Sequence, residues 1–315
     1  MTKVVLDVDT GIDDALAIMT AALSNEIELL ACTVVWGNVD LAQGVRNTST
    51  VLSLVGHGDV PVAAGAAGPR DGSAPWYAPA VHGADGLGGR ADLGHVPAPS
   101  AESATELIIR LSHEHADDFE LVAVGPLTNL AAALDADPTL PGRIRRVTIM
   151  GGAALAPGNA SAAAEANILH DPEAAKAVFE ADWSITMVGL DVTMRSLLDD
   201  SHRARLSAGG SAGRFAADIL DYYFGYYDSF IGRRRAGNHD ALAVAVAAGL
   251  VRTTLSPTVH VEVDCTDGPS RGRTVADLRG IWSGWPEVDG ARHRVVLELE
   301  PGFEDAMVDL IAAAP

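Results

Sequence analysis

Short apolar runs alternate with longer amphipathic stretches along the first two thirds of the chain. Runs rich in β-branched residues predict buried strands, whereas apolar residues spaced three and four apart predict helices. The strand-like runs lie at 4–6, 27–35, 60–62, 120–124, 147–150 and 185–190. The helix-like stretches begin near residue 13 and continue at 41–56, 101–115, 127–134 and 172–180. This alternation predicts an α/β fold with a doubly wound, mainly parallel open sheet.

The last third of the chain is less regular. Helical spacing covers 212–231 and 241–248, and a closing helix is expected at 304–313. Apolar runs at 259–263 and 295–299 predict strands, which we expect as an antiparallel addition to the sheet.

Two long segments, 65–100 and 151–167, lack a clear period and are crowded with Gly, Pro and Ala. Loops of this length in compact domains are usually functional lids or disordered segments. The chain has no internal repeat and no convincing linker, so we predict a single domain over residues 1–315 with irregular C-terminal additions.

Four aspartates, Asp7, Asp9, Asp13 and Asp14, follow the first apolar run, and Gly11 among them supplies a turn. They are therefore expected at the carboxyl end of a strand and on the turn into a helix, where open α/β sheets bind ligands. Carboxylates this close repel one another unless some are protonated or a cation neutralises them. Oxygen ligands favour Ca²⁺ or Mg²⁺ over softer metals. The pattern indicates a cation site.

A purely structural role explains only some of these acids. Asp13 as a helix N-cap and Asp14 as a first-turn charge would be ordinary. Asp7 and Asp9 lie beside an apolar run, where unpaired acids are rare. An EF-hand loop is excluded, because the sixth and twelfth positions counted from Asp7 are isoleucines, where glycine and glutamate are required.

Charge and cysteine content narrow the classes of partner and location. The formal net charge is −20, which argues against nucleic acid or an anionic membrane as a partner. The two cysteines, Cys32 and Cys265, cannot form a disulfide framework or a cysteine-based zinc site. Because the sequence shows no signal peptide and no membrane-spanning apolar run, we expect a cytoplasmic location.

Polar residues also follow the later strand-like runs. Each alone is typical of a turn. In a parallel sheet the strand ends point the same way, so these residues would converge on the rim that carries the first aspartates and form a polar crevice. They are Asn38, the segment 125–129, Gly151, Gly152, Asn159, Glu165, Asn167 and Asp191.

A second motif, His239-Asp240, precedes an Ala/Val-rich helix. Asp240 in this position can be a simple helix N-cap. The competing hypothesis makes Asp240 a third carboxylate on the cation and His239 an acid or base beside it. Both roles are open from the residues alone.

The ordered set of motifs resembles the nucleoside hydrolases related to inosine–uridine preferring enzymes. The family pattern DxDxGxDDxxA is matched in full between Asp7 and Ala17, and the matches run from about residue 3 to residue 247. The further matches are GN at 37–38, HGxxG at 82–86, GPLTN at 125–129, N…ExN at Asn159, Glu165 and Asn167, DPEAA at 171–175, and HD at His239 and Asp240.

The resemblance implies a Rossmann-like fold and Ca²⁺-dependent hydrolysis of the N-glycosidic bond of ribonucleosides, which yields ribose and free base. The carboxylates of Asp9, Asp14 and Asp240 and the backbone carbonyl of Val124 would bind the Ca²⁺. Asp9 would also take the proton from the water held on the ion, which attacks C1′ through an oxocarbenium-like transition state. This ligand set agrees with the cation indicated by the residues themselves.

The family pattern also implies substrate contacts and an oligomer. His239 would protonate the leaving base, and a histidine here is typical of the branch that accepts pyrimidine nucleosides or inosine. Trp76 and His82 in the first long segment, with Tyr223 and Tyr227, would line the base site and act as a lid. A homodimer or homotetramer is expected. Ribose contacts are implied for Asp13, Asn38, Asn159, Glu165, Asn167 and Asp240.

One position departs from the family, and two other functions compete. Trp36 stands before the GN motif where a small residue is usual, and it would either narrow the pocket or pack beneath it. A haloacid-dehalogenase-like phosphatase also begins with a strand and DxD, but it continues with Gly-Thr and does not explain His239-Asp240. A non-catalytic, Ca²⁺-dependent nucleoside binder would use the same residues without turnover.

Overall fold

Eight strands form one sheet at the centre of the computed structural model, which describes residues 1–91, 94, 97–144 and 146–315. The strands along the chain are β1 (Thr2–Val8), β2 (Ile27–Val34), β3 (Val62–Ala64), β4 (Glu120–Ala123), β5 (Arg146–Met150), β6 (Ile185–Val188), β7 (Leu197–Asp199), β8 (Arg235–Gly237), β9 (Thr253–Leu255), β10 (Thr258–Val259), β11 (Val261–Val263), β12 (Thr274–Ala276), β13 (His293–Val295) and β14 (Glu298–Leu299).

Helices connect these strands and cover both faces of the sheet. They are α1 (Ile12–Leu23), α2 (Leu41–Leu54), α3 (Pro79–His82), α4 (Ala104–Glu114), α5 (Thr128–Ala136), α6 (Ala166–His170), α7 (Pro172–Glu180), α8 (Leu190–Thr193), α9 (Asp200–Ser207), α10 (Ser211–Ile231), α11 (Asp240–Ala248) and α12 (Phe303–Ala312). Short 3₁₀ turns span Leu140–Gly142 and Leu278–Trp282. No helix in the described ranges is long and apolar enough to cross a membrane.

The strand order of the central sheet is β10-β13-β6-β5-β4-β1-β2-β3. All pairings are parallel except that of β10 with β13. The chain moves outward from β1 through β2 to β3 and then returns to place β4 on the other side of β1. The sheet therefore has its topological switch point beside β1, where such folds bind ligands. This arrangement confirms the predicted doubly wound α/β fold.

The alternation of side chains along β1 divides the core into two layers. Val4, Leu6 and Val8 pack into the layer that contains α1, α10, α11 and α12. Val5 packs into the opposite layer, which contains α4, α5 and α7. Because both faces of the strand are covered, it is apolar on both sides, as the sequence predicted.

The central elements match the predicted ones closely, and the C-terminal ones do not. The run at 259–263 divides into β10 and β11, which belong to different sheets, and the run at 295–299 divides into β13 and β14 in the same way. Each run changes partner midway, since Val295 N donates to Pro257 O but Leu297 N donates to Leu255 O. Only β10 adds in antiparallel fashion, because β13 is parallel to β6.

Several short elements were not predicted, among them α3, α8, α9, β7, β8, β9 and β12. Helix α9 buries only Leu206, so its sequence lacks the apolar period of an amphipathic helix. The antiparallel pair β7–β8 is only three residues long on each side.

The long segment 65–100 is anchored at its beginning to α5 and to the N-cap of α7. Ala66 N donates to Asn129 Oδ1, and Arg70 N donates to the buried carboxylate of Asp171. Helix α3 lies in this segment, and residues 92, 93, 95 and 96 of the prediction lie outside the described residues. The second segment, 151–167, is irregular until α6 begins, close to the predicted boundary.

Candidate active site

The aspartates after β1 are held by the first turn of α1. Asp14 Oδ2 accepts a hydrogen bond from Gly11 N at 2.8 Å, and Asp14 Oδ1 accepts one from Asp9 N at 3.1 Å. Gly11, not Asp13, is the N-cap, because the acid at the third helical position reaches back to the cap in a capping box. Asp13 is therefore free to extend from the first turn toward the cavity described below.

Asp240 lies close to these acids although it is distant from them in the sequence. It is the first residue of α11, and His239 rather than Asp240 is the N-cap. Carboxylate oxygens of Asp13, Asp14 and Asp240 all lie within 4.8 Å of one another. The structure thus brings together two acids of the first motif and the acid of the HD motif.

Burial raises the pKa of two of these carboxyl groups, those of Asp14 and Asp240. The pKa of Asp14 is raised to about 7 by burial and by the charge of Asp13. Burial and the charges of Asp13 and Asp14 raise the pKa of Asp240 well above its usual value. Asp13 Oδ1, Asp240 Oδ1 and Asp9 Oδ1 are buried and have no hydrogen-bond partner among the described residues. Unsatisfied, mutually repelling oxygens suit a hard divalent cation, so this donor set fits an ion of the class to which Ca²⁺ and Mg²⁺ belong.

Asp9 lies at the same rim but outside the 4.8 Å group. Its Oδ2 accepts a hydrogen bond from Asn38 N at 2.8 Å, and burial followed by the charge of Asp14 raises its pKa well above the usual value. Two glycines make room for it. A Cβ at Gly37 would lie 2.0 Å from Asp9 Oδ2, and a Cβ at Gly125 would lie 2.9 Å from Oδ1. Any larger residue at either position would displace this carboxylate.

The Val124 carbonyl lies just after β4, beside the cavity, and accepts a hydrogen bond from Asn167 Nδ2 at 2.8 Å. The same amide donates to Met150 O at 3.1 Å. Asn167 therefore ties the ends of two neighbouring strands together at the rim. The carbonyl predicted as a metal ligand is at the site and already has one donor.

Glu165 caps α6 with both carboxylate oxygens. Oε1 accepts from Asn167 N, and Oε2 accepts from Gly152 N and Ile168 N. Burial nevertheless raises the pKa of Glu165 to about 7, outweighing these hydrogen bonds. Asn159 is exposed, and its Oδ1 accepts from Ala166 N.

These side chains line a cavity of about 290 Å³ at the rim of the sheet. It contains the predicted Asp13, Asn38, Val124, Asn159, Glu165, Asn167, His239 and Asp240, together with the four predicted lid residues, Trp76, His82, Tyr223 and Tyr227. Asp9 and Asp14 lie beneath it. Several other residues that line the cavity were not predicted from the sequence, namely Met150, His170, Met194, Tyr226 and Phe230. Helical spacing could have identified Tyr226 and Phe230, which share a face of α10.

A chain of polar groups runs along the wall formed by α10. Tyr223 OH donates to Asp13 Oδ2 at 3.3 Å, and Tyr227 OH lies 3.0 Å from His239 Nε2. His239 Nδ1 lies 2.8 Å from Thr193 Oγ1. Burial lowers the pKa of His239, and the charge of Asp13 opposes that effect. This histidine therefore lies in a fully hydrogen-bonded setting.

His82 closes the cavity beside Asp13. Its Nδ1 accepts a hydrogen bond from Ile12 N at 3.1 Å and lies 3.7 Å from Asp13 Oδ1. A nitrogen that accepts a backbone N–H carries no proton, so this contact with Asp13 is not an ion pair. Burial also lowers the pKa of His82, which favours the neutral ring.

Asp7 and the tryptophans support the cavity. Asp7 Oδ1 accepts from Thr33 Oγ1 and Asn129 Nδ2, and burial raises its pKa to about 7.

Trp36 is fully buried, does not line the cavity, and presents an edge to His170 at 5.2 Å. It packs beneath the pocket rather than narrowing it. Trp76 stacks on the other side of the same imidazole, at 3.6 Å.

The fold and the site are typical of an α/β enzyme that acts on a small molecule. Its cavity has a floor of carboxylates, which are those of Asp9, Asp13, Asp14 and Asp240, at the switch point of a parallel sheet. A family model described as "Inosine-uridine preferring nucleoside hydrolase" matches residues 4–299. The chain belongs to this family and is a glycosidase-type hydrolase.

Relatives with full-length similarity support that assignment. The chain is 40% identical to the "Inosine-uridine preferring nucleoside hydrolase" of Crithidia fasciculata, over 88% of each chain. It is 36% identical to "Uridine nucleosidase 1" of Arabidopsis thaliana, over 90% of this chain and 84% of that one. The solved structure of a "Purine-Preferring Ribonucleoside Hydrolase from Gardnerella vaginalis" superposes with a TM-score of 0.88 at 34% identity, covering 99% of this chain and 98% of that chain.

These comparisons confirm the family inferred from the motifs, and the match extends through the C-terminal quarter, which the motifs did not reach. They do not support the phosphatase or the non-catalytic binder. The relatives' names differ in the base they specify, so the preferred base does not follow from membership.

Proposed function

We propose that the protein catalyses Ca²⁺-dependent hydrolysis of the N-glycosidic bond of ribonucleosides, with pyrimidine nucleosides, inosine or both as substrates. The products are ribose and free base. The observation that carries this proposal is the cluster of unpartnered oxygens of Asp9, Asp13 and Asp240 beneath a cavity whose wall holds His239. A cation and a leaving-group acid would then flank one substrate.

The cation would be held by the carboxylates of Asp9, Asp14 and Asp240 and the Val124 carbonyl. Asp13 lies close enough to Asp14 and Asp240 to stabilise the same charge. When bound, Ca²⁺ would lower the pKa of a coordinated water and orient the ribose hydroxyls.

Asp9 is the proposed general base. Its Oδ1 is buried without a partner, whereas Oδ2 is fixed by Asn38 N, so one oxygen is oriented and the other can accept a proton. The deprotonated water then attacks C1′, and the bond to the base breaks through an oxocarbenium-like transition state.

The ribose would be held by Asp13, Asn38, Asn159, Glu165 and Asn167, with Asp240 contributing from the floor. Carboxylates near the sugar favour the positive charge that develops on it as the base departs. Glu165 and Asn167 are fixed by α6 and by the Val124 carbonyl, so they are oriented before substrate binds.

His239 is the proposed acid for the leaving base. The base leaves as a poor anion, and protonation removes that penalty. Trp76, His82, Tyr223 and Tyr227 line the same cavity as His239 and would contact the base.

The test is incubation of the purified protein with uridine, cytidine, inosine and adenosine, with and without a Ca²⁺ chelator. Reducing sugar released is the measurement. We expect ribose from at least one nucleoside and its loss on chelation, restored by added Ca²⁺. No ribose from any substrate would overturn the catalytic proposal, tight nucleoside binding without release would favour the binder, and phosphate from a phosphomonoester would favour the phosphatase.

We further propose a homodimer or homotetramer and a cytoplasmic location, which rest on the sequence interpretation alone. Light scattering after size-exclusion chromatography measures the first, and a mass of one 315-residue chain would contradict it. Cell fractionation measures the second.

A further inference from the structure

Asp191 was expected on the polar rim of the sheet, but it is not among the described residues that line the cavity. It lies in α8, is buried, and accepts hydrogen bonds from the irregular stretch that follows β5. Its Oδ2 accepts from Ala154 N at 2.8 Å. Its Oδ1 accepts from Leu155 N at 2.6 Å and from Ala156 N at 2.9 Å. One carboxylate thus binds three consecutive N–H groups of residues 151–156, which we call the anchored segment.

The first half of the anchored segment is held by other partners. Gly151 N donates to a carbonyl of β6, and Gly152 N donates to Glu165 Oε2. Ala153 N donates to the hydroxyl of Thr274 at 2.9 Å, and the same hydroxyl donates back to Ala153 O at 3.1 Å. Every backbone N–H of the anchored segment is therefore hydrogen-bonded, which is typical of a fixed support and not of a lid.

The anchored segment is connected to two residues that are proposed to hold the ribose. Glu165 Oε2 accepts from Gly152 N at 2.9 Å. Asn159 follows the segment by three residues, and its Oδ1 accepts from Ala166 N at 3.0 Å. Glu165 and Asn159 both line the cavity. A displacement of the anchored segment would therefore remove one hydrogen bond from Glu165 and move Asn159 relative to the cavity.

Two glycines allow the anchored segment to approach α8 and β12 closely. A Cβ at Gly152, whose φ is +82°, would lie 2.8 Å from Thr274 Oγ1, and a Cβ at Gly189 would lie 2.6 Å from Gly152 O. Leu190 N also donates to Gly152 O at 2.9 Å. Because Gly189 is the N-cap of α8, this close contact fixes the helix that carries Asp191 against the segment that it binds.

We infer that Asp191 is a positioning residue for sugar recognition, which holds the anchored segment and, through it, Asn159 and Glu165. Thr274 holds the same segment from β12. The part of the cavity that contacts the sugar is then ordered before substrate binds, so the cost of ordering it is not subtracted from the binding energy. This inference rests on the proposed function, in which Asn159 and Glu165 contact the ribose.

The test compares Asp191→Ala, which removes the acceptors of all three N–H groups, with Asp191→Asn, which keeps one acceptor oxygen. Each is assayed on inosine or uridine and on 4-nitrophenyl β-D-riboside, whose leaving group needs no protonation. We expect Asp191→Ala to raise KM by about 10-fold on both substrates, because both carry the same sugar, and to lower kcat by less. Asp191→Asn should have an intermediate KM, since its amide group would face one backbone N–H.

A merely structural role would have a different kinetic result. Loss of folded protein would lower kcat and leave KM unchanged, and that outcome in Asp191→Ala would overturn the inference. Asn159→Ala should raise KM by about 5–10-fold alone, but by less than about twofold when it is added to Asp191→Ala, because Asn159 is then already displaced. Independent, multiplying effects of the two substitutions would also overturn the inference.

Thr274→Val provides a second variant in case Asp191→Ala does not fold. It removes the hydroxyl that binds Ala153 at nearly constant volume and should raise KM on both substrates by about 2–5-fold. The effect of Asn159→Ala should be reduced in this background as well. An unchanged KM in Thr274→Val would contradict the role of the anchored segment.

Asp137 offers the matched control, because it also binds a loop through a backbone N–H but precedes β5, at the opposite edge of the sheet from the cavity. Its carboxylate accepts from Thr139 N and pairs with Arg143. Asp137→Ala should leave KM on both substrates unchanged, whatever its effect on the unfolding midpoint. A rise in KM equal to that in Asp191→Ala would show that any weakened loop has the same result.

Hydrogen exchange measures the anchoring without turnover. The amides of residues 154–156 should be protected in the wild-type protein and should exchange at least about 10-fold faster in Asp191→Ala. Unprotected amides in the wild-type protein, or lost protection in Asp191→Ala with an unchanged KM, would overturn the inference and leave the proposed function intact. If the wild-type protein hydrolyses no riboside, the proposed function fails and the inference fails with it.

Discussion

The floor and the α10 wall of the cavity are both buried, yet they satisfy their polar groups in opposite ways. The floor leaves oxygens of Asp9, Asp13 and Asp240 without partners. Along the wall, the hydroxyls of Tyr223 and Tyr227 lie at hydrogen-bonding distance from partners in the protein. The hydroxyls of the wall thus have their hydrogen-bond partners within the chain. The carboxylates of the floor instead need a positive charge that the chain does not supply. We therefore expect substitutions in the two regions to differ in which substrates they affect.

The largest effect is expected at the floor. Asp9→Ala should reduce turnover by about 10²–10⁴-fold for nucleosides and nitrophenyl riboside alike, because the general base acts on the water whatever the leaving group. Steady-state kinetics on both substrates is the measurement. Asp182→Asn, which changes an exposed aspartate, is the control. A loss confined to nucleosides would mean that Asp9 does not activate the water.

A smaller and selective effect is expected at the wall. His239→Ala should lower kcat by about 10²-fold or more for nucleosides whose base needs protonation, and far less for nitrophenyl riboside. His113→Ala, at an exposed histidine, should leave both rates unchanged. Equal losses of kcat on nucleosides and on nitrophenyl riboside would show that substitutions in the wall act in the same way as those in the floor.

The rim of the cavity should contribute least to catalysis. Trp76→Ala removes the ring stacked on His170 and should raise KM by about 2–10-fold with little change in kcat, in line with the energy of one aromatic pair. Trp76→Phe should recover most of the affinity. Trp282→Ala, at a tryptophan that is 86% exposed and lies outside the cavity, provides the control. A fall in kcat without a change in KM would contradict a role in substrate binding.

Glu165 sharpens the comparison, because it is buried like the floor acids but fully hydrogen-bonded. Its folded pKa of about 7 exceeds the ordinary glutamate pKa of 4.5, so its contribution to stability is present below about pH 4.5 and is lost as the pH rises through 7. We expect metal-free wild-type protein to lose more unfolding free energy between pH 5 and 7.5 than Glu165→Gln, by an amount on the order of 1–3 kcal/mol.

Urea unfolding at both pH values measures this difference. Glu28→Gln, at an exposed glutamate, should retain the wild-type slope. A Glu165→Gln slope equal to that of the wild type would show that hydrogen bonds offset the burial.

The sequence predicted the floor better than the wall for a physical reason. Asp9, Asp13 and Asp14 are close in sequence, and a strand followed by a helix fixes where their carboxylates lie. Tyr226 and Phe230 were missed although α10 was predicted, since an aromatic residue on a helix face is equally suited to a core. Thr193 and His170 could not have been identified, because their places at the site depend on contacts with His239 and Trp76 from distant segments.

The same distinction separates the predicted and unpredicted parts of the fold. Strands β1, β4 and β5 are buried on both faces, so their apolar runs were sufficient to identify them. Strands β7 and β8, which were not predicted, are three residues long and are defined by their pairing with each other. Such pairings carry little local sequence signal.

The proximity of Asp14 and Asp240 has a consequence for how the chain unfolds. These residues begin two helices, α1 and α11, that pack against each other although most of the chain separates them in sequence. A bound Ca²⁺ would thus act as a reversible cross-link that closes a very long loop, and closing such a loop restricts the unfolded ensemble. Withdrawal of the ion would then loosen the contact between α1 and α11, and the rate of global opening would become a function of calcium concentration.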